Sequence, residues 1–160
     1  MHGTLGAFGS RLAFACSVIA GIAGHAIAQA GWQSIHELTT RTDSATAYDA
    51  ARGVTILYGG YDSTPRDDMW QWDGTAWTEL HPAHRPGMRV SCSMVYDSAR
   101  QRVLLFGGDT GFGATNDLWS WDGNDWSSIA TAHSPQPYNA KGLVYDSARD
   151  RLVVFGGYAG

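Results

Sequence analysis

One pentapeptide recurs at a nearly fixed interval and narrows the folds open to this chain. Tyr48-Asp49-Ala50-Ala51-Arg52 returns as Tyr96-Asp97-Ser98-Ala99-Arg100, 48 residues on, and as Tyr145-Asp146-Ser147-Ala148-Arg149 after a further 49. A glycine pair follows each copy at the same offset: Gly59-Gly60, Gly107-Gly108 and Gly156-Gly157. Trp72-Asp73-Gly74 with Trp77 likewise returns as Trp121-Asp122-Gly123 with Trp126. Such self-similarity marks a repeat architecture, in which each unit buries its apolar faces only against its neighbours.

Each unit carries four short apolar stretches, in the middle copy Ser93–Tyr96, Val103–Phe106, Leu118–Trp121 and Trp126–Ile129. Asp97-Ser98 suits a tight hairpin because short polar side chains bond their own backbone there. Asp122-Gly123-Asn124 suits a second, since Gly and Asn accept positive φ at little cost. Four strands joined in this way make an antiparallel meander. The second stretch (Val103-Leu104-Leu105-Phe106, Leu152-Val153-Val154-Phe155) is apolar throughout instead of alternating, which predicts burial of both its faces. A sheet sandwiched between two others produces that pattern.

Residues 1–30 differ from the rest. Arg11 is their one charged side chain, the apolar run Leu12 to Ala23 follows it, and Ala28-Gln29-Ala30 closes the segment. That is the order of a secretory leader cut after small residues. Glycines and His25 interrupt the run before it reaches the roughly 20 apolar residues of a membrane span. Cleavage after Ala30 would leave ten basic and fifteen acidic residues, a formal net charge of −5, which argues against a nucleic-acid partner. Only Cys92 would remain of the two cysteines, so no internal disulfide is expected, and its place in a predicted strand argues for burial. The expected organisation is a leader over 1–30, a lone fourth strand and linker over 31–47, repeats over 48–93 and 94–142, and a truncated repeat over 143–160. The lone strand is Trp32-Gln33-Ser34-Ile35, which matches Trp77-Thr78-Glu79-Leu80.

A period near 50 residues, a glycine doublet ending the second strand and tryptophans in the third and fourth separate this pattern from shorter Trp-Asp repeats. The chain resembles the kelch superfamily of β-propellers, in particular its exported bacterial and galactose oxidase-like members. That resemblance implies an all-β fold: a partial kelch-type β-propeller of four-stranded antiparallel meander blades, with about two and two-thirds repeats against the four to eight blades of a closed ring. Kelch repeats often place an Arg, and three residues later a His, before the first strand. Arg41 and Arg89 fill the first position here, but Ser44 and Cys92 fill the second, and the third copy has Tyr138 and Lys141. No function resting on that histidine is expected.

Repeated residues read as scaffold. Asp49, Asp97 and Asp146 are expected to form hairpins, and Arg52, Arg100 and Arg149 to pair with a carboxylate or with carbonyls at the sheet end. Trp70/Trp72 and Trp119/Trp121 lie two apart on one strand face and should pack between blades. The stretch Ser120–Trp126 is similar to the Asp box of sialidases but one residue short between Asp and Gly, so it reads as a turn. His81 and His84 have a metal-compatible spacing without a Cys or carboxylate cluster beside them. No catalytic, cofactor or metal set is therefore expected. Strand parity puts the short connections on one face and the long, copy-specific ones on the other, where function usually rides. Tyr61, Arg66, His84, Arg89, Phe112 and Tyr138 are the candidate ligand-binding residues on those loops. The expected function is a non-catalytic binding module, secreted or held in the periplasm or cell envelope, that recognises a protein or a carbohydrate. No nucleic acid and no membrane span after leader removal are expected, and open blade edges favour self-association. The alternatives are a fragment of a secreted kelch-type enzyme, galactose oxidase-like or sugar-modifying, and a truncated product without a function of its own.

Overall fold

The computed structural model describes the backbone of residues 13–18 and 30–35 and, from residue 38, every residue to 157 except 138, 140 and 141. Most of the expected leader, His36, Tyr138 and Lys141 thus lie outside the described residues. The chain divides into two units, residues 1–40 and 41–160. In the first, Ala13–Val18 (β1) pairs antiparallel with Ala30–Ile35 (β2). Among the described residues no helix is long and apolar enough to cross a membrane.

The second unit is all β. Ala45–Asp49 (β3), Val54–Tyr58 (β4), Met69–Trp72 (β5) and Trp77–Leu80 (β6) form one four-stranded antiparallel meander in chain order. Ser93–Asp97 (β7), Arg102–Asp109 (β8), Ala114–Trp121 (β9) and Trp126–Ile129 (β10) form a second, and Gly142–Asp146 (β11) pairs with Arg151–Phe155 (β12) in a third, two-stranded sheet. The first strands β3, β7 and β11 pack in succession. Each repeat opens slightly earlier than its Tyr-Asp motif, since β3 begins at Ala45. β8 and β9 outrun the apolar stretches, continuing through a bulge between Phe106 and Gly108 to pair Asp109 with Ala114.

Local chemistry explains the turns. Asp97 Oδ1 accepts the amides of Ala99 and Arg100 at 3.1 Å each, closing the β7–β8 hairpin. Asp49 does the same for Ala51 and Arg52, and Asp146 for Ala148 and Arg149. These are the Asx turns that the motif predicts. The glycine pairs sit at positive φ, 62° and 95° at Gly107 and Gly108. A Cβ on Gly108 would stand 2.7 Å from the Cβ of Cys92 and 2.9 Å from its Cα. The doublet therefore lets the strand end pass directly over the backbone that leads into the first strand of its own sheet.

Packing follows from the stacking of the first sheet on the second. Ala45, Ala47, Ile56, Tyr58 and Met69 from one meet Met94, Val103, Leu105, Trp121 and Trp126 from the other. Trp126 is 1% exposed; its Nε1 donates to Met69 Sδ at 3.2 Å, and its ring meets Tyr58 edge-on, centroids 5.6 Å apart. Removing such a ring from a core costs roughly 3–5 kcal/mol. β8 is buried on both faces from Val103 to Phe106, as its unbroken apolar run predicts, and β4 is nearly so. The same expectation fails for β12, where Val153 is 49% and Phe155 85% exposed. Its outward face has no covering sheet among the described residues. Apolar content alone does not say whether a neighbour is there.

Gly108→Ala tests the doublet. It should lower unfolding free energy by at least about 2 kcal/mol, from unfavourable φ plus collision with Cys92. Gly74→Ala, also at positive φ but with open space at its Cβ position, should show the φ cost alone. Urea unfolding of the two variants separates them; equal losses would deny the close approach.

Candidate functional site

The two rims of the stacked sheets are built differently. On the hairpin rim, the arginines of the repeated motif tie each sheet to the next. Arg52 pairs with Asp49 at 2.7 Å and donates to the carbonyls of Gln101, at 3.1 Å, and Asp122 in the second sheet. Arg100 holds Asp97 at 3.2 Å and reaches both oxygens of Asp150 in the third at 2.6 and 2.7 Å. Arg149 pairs with Asp146 at 2.8 Å. Tyr96 Oη accepts the amide of Ala51 across the first sheet boundary. These side chains act as fasteners, in line with the scaffold reading.

A second repeated device holds the loop rim. Arg41 forms a two-pronged pair with Asp68 at 2.6 and 2.9 Å, and Asp68 also accepts from Trp70 Nε1 at 2.8 Å. Arg89, Asp117 and Trp119 repeat the arrangement, with distances of 2.5 Å and 2.7 Å. Arg89 is 4% exposed, and its backbone is held between Gly60 and Arg66. It is therefore no exposed recognition residue, contrary to the expectation drawn from its loop position. The sequence did carry a clue: Asp68 and Asp117 recur 49 apart, each two residues before a tryptophan.

The other candidates lie on three separate loops. Tyr61 bridges Thr42 in a short ladder and remains 45% exposed. Arg66 is clasped by both oxygens of Asp62 at 2.7 and 2.6 Å, with its side chain half open to water. Phe112 stands 96% exposed at the tip of the β8–β9 loop, where Asp109 Oδ1 accepts the amides of Gly111 and Gly113. His84 departs from the placement that strand parity predicts. Its Nδ1 meets Asp125 Oδ2 at 2.7 Å and its amide donates to Oδ1 at 2.8 Å, so it docks on a turn that parity assigns to the opposite rim. The twist of a meander turns its outer strand far from the direction of its first, and the β6–β7 connection meets that turn at His84. There His84 and Arg85 border an open groove of about 640 Å³ whose other wall is Trp119, Trp126, Ser127 and Ser128.

The electrostatics are those of a fastened scaffold. Burial pushes the Asp68 carboxyl up, but hydrogen bonds from Arg41 and Trp70 outweigh it and leave the group below the usual carboxylate range. Asp97 follows the same pattern, with burial opposed by the Arg100 amide and the Arg100 and Arg102 guanidiniums. The His84 side chain and amide hold Asp125 low. Cys92 is buried as expected, and burial pushes its thiol up to about 12, away from nucleophilic chemistry. His81 lies 4.0 Å from Glu79. Among the described residues no three His, Cys, Asp or Glu side chains converge as a metal would require. No family model matches the chain, and no curated protein matches it.

Two outcomes follow. Arg89→Met should cost at least about 2 kcal/mol, because it removes the cation from Asp117 and leaves the carboxylate with Thr115 and Trp119 as its partners, whereas Arg66→Ala should leave the unfolding midpoint unchanged. Equal effects would return Arg89 to the surface set. Second, the depressed Asp68 and Asp97 contribute stability that is complete above their unfolded value near 3.9 and is lost as pH falls through the lower folded values. The thermal midpoint should therefore hold from neutral pH to about 5 and drop below about 4, and Asp97→Asn should flatten that drop.

Proposed function

We propose that this chain is part of an exported kelch-type β-propeller whose four-stranded sheets are its blades, and that it acts as a non-catalytic binding module. Support for the blade reading comes from the register-matched stacking of successive antiparallel sheets, fastened at one rim by Arg52 and Arg100 of the repeated motif. Repeat length and the glycine doublet favour kelch over shorter-period propellers. The secretory leader and a secreted or envelope location rest on the order of residues 1–30.

One contrast carries the functional reading. The hairpin turns share one hydrogen-bond pattern from repeat to repeat, whereas the connections on the other rim do not. Residues 61–66 close on an Arg66–Asp62 clasp, and 109–114 on an Asp109 turn that lifts Phe112 into water. Residues that a rigid scaffold holds out in different shapes are where recognition concentrates. Aromatic and arginine side chains are the usual anchors of such contacts. A protein or glycan partner suits this surface and the groove beside His84, where Trp119 offers an aromatic wall and Ser127 and Ser128 offer hydroxyls.

Equilibrium binding to a panel of envelope polysaccharides and extracellular proteins tests the proposal. For a cognate partner, Arg66→Ala with Phe112→Ala should weaken binding by about tenfold or more with the melting temperature unchanged. Ser98→Ala with Asn124→Ala on the hairpin rim should do neither. Turnover of a panel sugar by the chain, or loss of binding in the rim variants alone, would overturn it.

A further inference from the structure

We infer that the groove beside His84 is a binding site for an uncharged sugar ring, one unit of a glycan; this rests on the binding-module reading and names a ligand class for it. At about 640 Å³ the groove falls within the roughly 300–1,000 Å³ that small-ligand sites occupy. One wall is the β6–β7 connection at His84 and Arg85, and the other is the outer strand pair β9 and β10. Trp119, half-buried on β9, is held for stacking. Its Nε1 is spent on Asp117 Oδ2 at 2.7 Å, which fixes the indole and leaves its face as what it offers the groove. The β9–β10 register sets Ser128 opposite Trp119, and side chains so opposed stand about 4.5–5.5 Å apart at Cβ. A hydroxyl therefore borders the indole, with that of Ser127 next along the strand, both residues exposed. On the facing wall, His84 Nδ1 lies 2.7 Å from Asp125 Oδ2. An ionised carboxylate only accepts, so Nδ1 carries the proton and Nε2 is the ring atom left for a ligand.

Charge selects among ligands. His84 lies on Asp125 and Arg85 faces Asp67 at 3.5 Å, so each cationic side chain here has a carboxylate of its own and neither sign is in excess. An acidic ligand would have to compete with Asp67 for Arg85. A neutral sugar ring needs no such exchange: its C–H face lies on the indole, and its hydroxyls meet Ser127, Ser128 and His84 at the border. An aromatic wall with a few placed polar groups is how such sites fix a polar ligand. The groove also departs from the repeat where scaffold residues keep to it. Trp119 matches Trp70 at an interval of 49, but Ser128 stands where the first sheet has Glu79, and Asp125 where it has Ala76. In the first sheet a carboxylate, that of Glu79, is therefore set opposite the matching indole. Arg85 likewise gives way to Ser134 in the next connection. A tryptophan common to both sheets thus acquires hydroxyls and an oriented imidazole in one of them.

The probes are neutral tetrasaccharides of glucose, galactose, mannose and N-acetylglucosamine, with tetragalacturonate as the charged comparison, each titrated into the isotope-labelled full chain and followed by NMR. At least one neutral probe should give saturable shifts at the amides of His84, Arg85, Ser127 and Ser128 and at the Trp119 indole. Tetragalacturonate should bind about tenfold more weakly or worse. Ser127→Ala with Ser128→Ala should weaken the neutral probe about tenfold. Ser128→Glu, which installs the first sheet's residue, should abolish binding. Both changes fall at exposed positions, so the melting temperature should stay where it is. Arg66→Ala with Phe112→Ala, on the loop rim, should leave sugar binding unaltered. Absence of saturable shifts with every neutral probe, tighter binding of tetragalacturonate, or full affinity in the double serine variant would each overturn the site. So would shifts that avoid the groove and vanish in the Arg66 and Phe112 variant. A chain that holds a partner at the loop rim but ignores every sugar would sink the groove and spare the binding-module reading; one that binds neither would sink both.

Discussion

The insertion of Trp126 between Tyr58 and Met69 is the contact on which the rest of the second unit depends. A four-stranded meander of this size has two apolar faces and no helix to cover either. Its second strand is apolar on both sides, and on one of them the next meander supplies the cover in matching register. Trp126 comes from the outermost strand, so its burial ties the last strand of β7–β10 to the packing of the first sheet. Face-to-face stacking thus couples the sheets cooperatively, as repeat arrays generally do. The inner strands supply small residues at the same boundary, Ala45 and Ala47 at β3, which lets β3 and β7 approach while the outer tryptophans fill the wider gap.

Ionic fastenings refine this apolar stacking without driving it. Arg52 and Arg100 lie at the hairpin rim with their guanidiniums partly open to water over buried aspartates, and solvent on the arginine side limits what each pair contributes. What they add is alignment: each spans from its own Asx turn to the next sheet, fixing how far one sheet slides along another. The loop-rim pair Arg89–Asp117 differs because the arginine is buried. A buried pair is weak evidence for stability but strong evidence of consequence when one partner is lost. Its recurrence at Arg41–Asp68 shows that the device belongs to the repeat.

What could be read from the residues, and what could not, divides by range. The Asx turns at Asp49, Asp97 and Asp146, the glycine doublets and the strand pairs at Trp72–Trp77 and Trp121–Trp126 are set within a few residues, so spacing alone reveals them. Burial of Cys92 was expected from a strand, and the residue is buried just before β7. Arg89 did not follow, because its partner Asp117 lies 28 residues away and nothing local distinguishes a clasped arginine from a free one. His84 failed for a geometric reason: parity treats a meander as flat, while twist carries the outer strand round until the β6–β7 connection meets Asp125. β12 failed because an apolar strand reads the same whether or not a neighbour covers it.

These distinctions bear on where recognition can sit. Nearly every residue repeated across the sheets serves the architecture. The aspartates cap turns, the arginines span sheets, the glycines allow close crossings, and the Asp-x-Trp pairs hold the loop-rim arginines. Replacing any of them disturbs the array, so binding hung on those residues would be tied to folding and free to vary only at its expense. The residues between them carry no such obligation. Phe112 makes its loop no more compact by standing in water, and Arg66 is held by Asp62 on its own loop, leaving the sheets beneath unaffected if either changes. A repeat scaffold of this kind separates the two demands in space. The rim that is identical from copy to copy maintains the stack, and the residues that differ on the other rim are free to vary without loss of the fold.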